Sequence, residues 1–104
     1  IARIANATAK LLECDLELSP SDILSSDEYI GDRYGVLTQE GRDALKLVAE
    51  TEGIFLDPVY TSKAMAGMID QIRKGIITKN ETVVFIHTGG LPALFAYAED
   101  LMLS

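Results

Sequence analysis

Residues 54–63 read Ile-Phe-Leu-Asp-Pro-Val-Tyr-Thr-Ser-Lys, and this stretch decides the predicted fold. A short apolar run ends in Asp-Pro, turns through Tyr60 and Thr61, and enters a helical pattern. Pro58 ends the run as a strand, because proline has no N–H to donate to a strand ladder. The run 54–56 shows no polar alternation, which is typical of a strand buried on both faces of a parallel sheet.

A second stretch follows the same plan. Residues 82–87 form another apolar run, residues 88–90 (Thr-Gly-Gly) make the turn, and Pro92 suits the first turn of a helix. Two strand–turn–helix units predict an α/β fold, a three-layer parallel sheet with helices on both faces. Ligands of such sheets bind outside the carboxyl ends of the strands. The residues predicted to lie there are Tyr60, Thr61, Thr88 and Gly89.

Hydrophobic periodicity predicts four helices around these strands. Ile1 to Glu13 carries an apolar stripe, so we expect one buried face there. Gln39 to Thr51 follows Thr38, a good N-cap, and precedes Gly53, a good helix stop. The third helix begins at a cap supplied by Thr61 or Ser62 and ends at Lys74-Gly75. The fourth follows Pro92, with Leu91, Leu94, Phe95, Ala98 and Leu101 or Met102 as its buried stripe.

Composition restricts the class of protein. The chain has 104 residues, is 48% hydrophobic and 24% charged, and carries a formal charge of −7, which predicts one globular domain. The acidic balance disfavours nucleic acid and anionic membranes as partners, and no apolar run is long enough to span a bilayer. The single cysteine, Cys14, is expected to be a buried hydrophobe in a reducing, cytoplasmic setting. We expect no metal site, because His87 is the only histidine.

Single residues leave the chemistry open. His87 ends an apolar strand, where a satisfied structural role is the more common one. Lys63 is expected to be a surface or supporting cation, since a Schiff-base lysine needs a desolvated, positioned setting. Tyr34 lies in the irregular stretch 15–34 and, taken alone, is more often a packing residue. The turn 88–90 could cradle an anion, but plain turn chemistry is the commoner role of Thr-Gly-Gly.

A longer pattern is more specific. The segments that carry it are Tyr34-Gly35-Val36, Glu52-Gly53-Ile54, Leu56-Asp57-Pro58-Val59-Tyr60, residues 63–70 (Lys-Ala-Met-Ala-Gly-Met-Ile-Asp) and residues 87–97 (His-Thr-Gly-Gly-Leu-Pro-Ala-Leu-Phe-Ala-Tyr). In this order they resemble the C-terminal part of D-cysteine desulfhydrase and 1-aminocyclopropane-1-carboxylate deaminase. These are pyridoxal-phosphate enzymes of the tryptophan-synthase-β fold type, and the resemblance covers most of residues 30–98.

The resemblance implies a site and a setting. Tyr34 and Tyr60 match the two active-site tyrosines of that family, and Thr61 and Thr88 match positions near the pyridine nitrogen of pyridoxal 5′-phosphate. The lysine that bonds covalently to the cofactor is expected to lie outside this chain. Residues 1–104 would be the C-terminal part of the large cofactor-binding domain, incomplete and inactive alone. The implied partners are a small amino-acid substrate, the remainder of the chain, and a second copy in a homodimer.

One departure from the family pattern bears on the reaction. The ring-opening deaminases, which are hydrolases, resemble Asp-Pro-Val-Tyr-Glu, whereas this chain has Thr61 after Tyr60. A neutral hydroxyl tolerates an unprotonated cofactor ring, a weaker electron sink that suffices for β-elimination of a thiol. We therefore expect a lyase, D-cysteine desulfhydrase, that forms pyruvate, sulfide and ammonia. The ring-opening deaminase is the first alternative, and a non-catalytic α/β binding module is a more remote one.

Overall fold

The computed structural model describes residues 1–102. Within this range every regular element is helical, and none of these helices is long and apolar enough to cross a membrane. Residues 1–102 form five α-helices and one short 3₁₀ helix. Their bounds are α1 Ala2–Leu11, the 3₁₀ helix Pro20–Asp22, α2 Gln39–Glu52, α3 Thr61–Arg73, α4 Ala93–Ala96 and α5 Ala98–Met102.

Helix α2 begins and ends at the residues that its sequence predicts. The Thr38 hydroxyl accepts a hydrogen bond from the Gly41 N–H at 3.1 Å, which satisfies one of the free donors of the first turn. At the other end Gly53 adopts a left-handed conformation with φ of 66°, and its N–H donates to the Ala49 carbonyl. Glycine adopts this conformation at little steric cost, so the helix stops there.

Helices α2 and α3 pack against each other and enclose the core. Buried side chains from both helices meet Leu56, which has no exposed surface, on the segment that joins them. Three of the four other buried core residues are small or slender, so the two helices approach closely. The core consists of Ala44, Val48, Leu56, Met65 and Ala66, with Leu45, Met68, Ile69 and Phe85 packed around it.

The predicted three-layer parallel sheet is wrong for the described residues, which contain no strand. Segments 54–56 and 82–87 make no backbone hydrogen bond to each other or to any other part of residues 1–102. A strand is stabilised by its neighbours, and within this range neither segment has a paired neighbour. Both segments are also open at the sides that were expected to be buried, since Phe55 is 59% exposed and Ile86 is 77% exposed.

Outside the α2–α3 unit, the predicted apolar faces are exposed. Helix α1 buries Ala2 and Ala9 instead of the larger side chains of its stripe. Cys14 is exposed, so its expected burial is wrong. The predicted last helix is broken into α4 and α5 at Tyr97, and Phe95 is 87% exposed. Hydrophobic periodicity identified these faces correctly as apolar but could not show whether a packing partner is present.

Candidate active site

The Asp57 side chain organises the turn before α3. Its carboxylate is almost fully buried and accepts hydrogen bonds from the N–H groups of Val59 at 2.9 Å, Tyr60 at 2.7 Å and Thr61 at 2.8 Å. Burial alone would raise the pKa of Asp57, but these bonds, with that from the Thr61 hydroxyl, outweigh it and hold the pKa below its ordinary value. The carboxylate therefore caps α3, a role that the sequence assigned to Thr61 or Ser62.

Thr61 is turned into this network. Its hydroxyl, on a residue only 2% exposed, accepts the Asp57 N–H at 2.7 Å and donates to Asp57 Oδ1 at 2.9 Å. One donor and one acceptor function of the hydroxyl are therefore used inside the turn. The structure places Thr61 beneath the turn, and its predicted contact with the pyridine nitrogen stays a prediction.

Tyr34 and Tyr60 come together although 26 positions separate them. Their hydroxyl oxygens are 2.7 Å apart, their ring centroids are 5.9 Å apart, and both side chains are largely exposed. The hydrogen bond with Tyr34 raises the pKa of Tyr60, and partial desolvation and nearby negative charge raise it further. Tyr60 is therefore a weaker acid than an ordinary tyrosine.

Three side chains hold the loop that carries Tyr34. Lys63 Nζ donates to the Ile30 carbonyl at 2.6 Å, and the Tyr97 hydroxyl donates to the Gly35 carbonyl at 2.5 Å. The Tyr29 hydroxyl donates to Asp70 Oδ2 on α3 at 2.6 Å. A cavity of about 510 Å³ lies between residues 26–35 and the first half of α3, with both site tyrosines in its lining.

The Thr88–Gly90 turn lies against the Asp57 turn. A Cβ atom placed on Gly90, whose φ is 92°, would be only 2.8 Å from Asp57 Cβ, so only glycine permits this approach. His87 joins the same two segments: Nδ1 accepts the Gly89 N–H at 3.1 Å, and Nε2 therefore carries the proton that it donates to the Phe55 carbonyl at 2.8 Å. The expectation of a structural histidine agrees with these bonds.

Thr88 and Gly89 present the open part of this turn. Thr88 is exposed, and its hydroxyl makes no hydrogen bond to any residue between 1 and 102. Gly89 has φ of 93°, with open space where a side chain would be. The structure thus brings Tyr34 to Tyr60, and the 88–90 turn to the Asp57 turn.

Sequence reasoning did not assign Asp57, Tyr29 or Tyr97 to the site, and it treated Lys63 as a surface or supporting cation. Asp57 had a readable signal, because Asp before proline favours turn initiation and an Asp side chain often bonds backbone N–H groups two or three residues later. The bonds of Tyr29, Lys63 and Tyr97 join distant parts of the chain. No local sequence signal announces such contacts.

Comparison with known proteins identifies the family. The family described as "Pyridoxal-phosphate dependent enzyme" matches residues 2–89. The chain belongs to this family. A solved structure of a protein described as an "ACC deaminase homologue" is 38% identical over 93% of this chain, with a TM-score of 0.75. This chain spans 28% of the length of that protein. These matches confirm the family resemblance and the dependence on pyridoxal phosphate.

The described residues fit one side of this cofactor. An exposed neutral hydroxyl on Thr88, beside the open glycine position at residue 89, suits the edge of an aromatic ring that carries a nitrogen acceptor. The start of α3 is a poor site for the phosphate, because the N–H groups of Tyr60 and Thr61 donate to the Asp57 carboxylate and that of Ser62 donates to the Asp57 carbonyl. A contact from Thr88 or Gly89 to the cofactor ring stays a prediction.

Proposed function

We propose that this chain is part of a pyridoxal-phosphate-dependent lyase that eliminates sulfide from D-cysteine. The observation that carries the proposal is the state of residue 61. A threonine stands there, and its hydroxyl bonds to Asp57 within the turn. No carboxylate at this position can therefore hold the pyridine nitrogen protonated, and a moderate electron sink is enough for loss of a thiol from the β-carbon.

Thr88 is the residue that we assign to the ring nitrogen. Its hydroxyl is exposed, whereas that of Thr61 is engaged with Asp57. The turn that carries Thr88 is held in place by His87 and by the close contact between Gly90 and Asp57. A fixed neutral donor can orient the ring without forcing a proton onto the nitrogen.

Bound pyridoxal phosphate supplies the electron-withdrawing ring that makes loss of the α-proton and the β-substituent feasible. The contribution of the chain is a pair of phenols. Tyr60 is protonated at neutral pH, as phenols ordinarily are, so it can donate a proton to the departing sulfur. Tyr34 orients the Tyr60 hydroxyl through the same bond. The two hydroxyls together can hold and move one proton at the substrate.

The ring-opening deaminase is the second candidate function, and the similarity to a solved ACC deaminase homologue favours it. Opening of a cyclopropane requires a stronger electron sink, which a carboxylate at position 61 would provide. The threonine at this position is the reason that we rank the deaminase second. Family membership gives no support to the non-catalytic module.

The test is turnover by the full-length holoenzyme. We expect sulfide and pyruvate in equal amounts from D-cysteine, and little 2-oxobutyrate from 1-aminocyclopropane-1-carboxylate. Thr88→Val should change the visible spectrum of the bound cofactor and lower turnover, whereas Thr82→Val, at an exposed threonine of the preceding segment, should do neither. Formation of 2-oxobutyrate without sulfide would reject the lyase in favour of the deaminase.

The setting of the enzyme belongs to the same proposal. We propose a cytoplasmic homodimer, in which residues 1–104 contribute part of the cofactor-binding domain and are inactive alone. Sedimentation of the full-length holoenzyme tests the assembly, and turnover by residues 1–104 alone would contradict the last point.

A further inference from the structure

Lys63 occupies an unusual position for a lysine. It lies in the first turn of α3 and is only 8% exposed. Its Nζ donates to the Ile30 carbonyl at 2.6 Å, and no carboxylate of residues 1–102 lies within ion-pair distance of it. Burying an ammonium group costs free energy unless the group is well bonded. The hydrogen bond from Lys63 to the Ile30 carbonyl is therefore the interaction that offsets the cost of burying the ammonium group.

The bond fixes the loop that carries Tyr34. Ile30 and Gly31 lie within the irregular segment between the 3₁₀ helix and α2. Gly31 has φ of 76° and lies close enough to Lys63 that a Cβ on it would be 3.5 Å from Nζ. Four positions after Ile30, Tyr34 reaches the Tyr60 hydroxyl. Tyr60 precedes Lys63 by three positions at the start of α3, and this spacing places them on neighbouring parts of one helical surface.

The loop and α3 are thus joined at three points. Tyr29 bonds to Asp70, Lys63 bonds to the Ile30 carbonyl, and the Tyr34 hydroxyl meets that of Tyr60. The bond between Tyr34 and Tyr60 is exposed to solvent and is weak alone, whereas the lysine bond is shielded. Without the lysine bond, the direct hydrogen bonds between residues 30–34 and α3 or its cap would be reduced to the exposed one between the two tyrosines.

We propose that Lys63 is a positioning residue, which fixes the Tyr34 loop on α3 and thereby sets the Tyr34 hydroxyl against that of Tyr60. The inference rests on the proposed function, in which these two phenols serve the substrate. Lys63 acts through Tyr34 and does not itself touch the reacting atoms. Displacement of a catalytic group by about 1 Å can lower a rate about 100-fold, so a tether of this kind affects turnover.

A double-mutant cycle in the full-length holoenzyme separates positioning from general support. Lys63→Met removes the donor and keeps the length of the side chain, and we expect kcat/KM for the accepted substrate to fall about 10- to 100-fold. In the Tyr34→Phe background, the same substitution should cost less than about threefold, because the group that it positions is already gone. Equal losses in both backgrounds would overturn the proposal.

Two further variants serve as controls for the cycle. Lys63→Arg retains a donor and should recover most of the activity that Lys63→Met loses. Lys46→Met, at an exposed lysine of α2, should leave kcat/KM unchanged. If Lys63→Met does not fold, Lys63→Leu, which also lacks the donor, takes its place in the cycle. A loss with leucine that disappears in the Tyr34→Phe background supports the proposal, and one of equal size in both backgrounds overturns it.

A measurement without turnover keeps this inference separate from the proposed function. The full-length protein, with tyrosine labelled at Cζ with ¹³C, is titrated by NMR, and the Tyr60 signal is assigned by its absence in Tyr60→Phe. Tyr34→Phe removes the bond that raises the pKa of Tyr60, so the pKa should return toward its ordinary value of about 10. Lys63→Met should cause the same fall, and Lys63→Arg should not.

The two failures are then distinguishable. If the wild-type holoenzyme turns over neither amino acid, the proposed function fails, and a fall in the pKa of Tyr60 in Lys63→Met still supports the positioning role. If the wild-type enzyme is active but Lys63→Met leaves both kcat/KM and the Tyr60 titration unchanged, the positioning role is wrong and the proposed function stands.

Discussion

The Asp57 turn and the segment 82–87 follow the same predicted plan but have different structural outcomes. Both contain an apolar run that ends in a polar turn before a helix. At Asp57, side-chain oxygens satisfy the backbone N–H groups of the turn, and Leu56 is completely buried between α2 and α3. Residues 82–87 make no backbone hydrogen bond within residues 1–102, and Val84 and Ile86 are 80% and 77% exposed.

The difference shows which structures a sequence can complete locally. A turn closed by an Asp side chain needs only residues that lie two to four positions away, so it forms wherever those residues are. An extended segment needs partners that are far along the chain, and its backbone groups remain unpaired until those partners are present. Some predicted site residues lie in the Asp57 turn and others follow the segment 82–87. Substitutions in each region can therefore test the comparison.

The largest expected effect comes from removing the cap. Asp57→Ala deletes the acceptor of three backbone N–H groups and of the Thr61 hydroxyl, and we expect a loss of about 2–4 kcal/mol in stability, since buried donors are left unpaired. Urea unfolding of the full-length holoenzyme gives the total, and hydrogen exchange of residues 58–66 shows whether the loss is local.

Asp43→Ala is the matched control for that substitution. Asp43 is an exposed carboxylate whose described hydrogen bond is to Gln39 on the same helix, so its loss should cost less than about 0.5 kcal/mol. Similar losses in the two variants would mean that the Asp57 turn is no more self-contained than the exposed surface, and the contrast with segment 82–87 would then fail.

The contact between the two turns should give the next largest effect. Gly90→Ala and Gly89→Ala both place a side chain at a positive φ, of 92° and 93° respectively, so both carry a similar backbone strain. Only at Gly90 does the new Cβ meet Asp57, at 2.8 Å, while the space around Gly89 is open. We expect Gly90→Ala to be less stable than Gly89→Ala by about 1–3 kcal/mol in urea unfolding.

Equal stability of the two glycine variants would contradict the close approach of the turns. The Asp57 turn and the 88–90 turn would then be independent of each other, and Thr88 would have no fixed position relative to α3. The pair is informative because each variant controls for the strain in the other.

Protonation of Asp57 tests the same cap more mildly. The pKa of this carboxyl is lowered in the folded chain, so near its ordinary pKa of about 3.9 the unfolded chain binds more protons than the folded one. The contribution of Asp57 to stability is therefore complete above about pH 4 and is lost as the pH falls through the folded pKa. The difference in stability between wild type and Asp57→Asn should shrink below about pH 4, whereas a pH-independent difference would exclude this role for the charge.

The parts of the fold that the sequence predicted are those fixed by local chemistry. Thr38 and Gly53 bound α2 as expected, because a cap and a left-handed glycine act within one helical turn. The sheet could not be judged in the same way, since an apolar run such as residues 82–87 signals burial without supplying the neighbour that buries it. Exposed Phe95 and Cys14 show the same limit.

In the candidate site, too, contacts between distant parts of the chain could not be predicted from local sequence. Tyr34 and Tyr60 were paired through the family resemblance, and the structure places their hydroxyls 2.7 Å apart, although their catalytic role stays a prediction. Lys63 could not be recognised as a buried tether, because its partner is a carbonyl 33 positions earlier. Residue type gives little information about a bond to a distant backbone atom.

The smallest expected effect concerns the start of α2. Thr38→Ala removes the acceptor for the Gly41 N–H and should cost about 1 kcal/mol in stability, the ordinary value for a lost N-cap. Thr51→Ala removes a hydroxyl that only donates to the Leu47 carbonyl of the same helix, so it should change stability by less than about 0.5 kcal/mol. Urea unfolding of both variants, with hydrogen exchange of residues 39–44, measures the difference. If Thr38→Ala proved no more harmful than Thr51→Ala, packing against α3 would hold the start of α2 without its cap. The Asp57 turn would then be the one of these two structures that nearby residues stabilise.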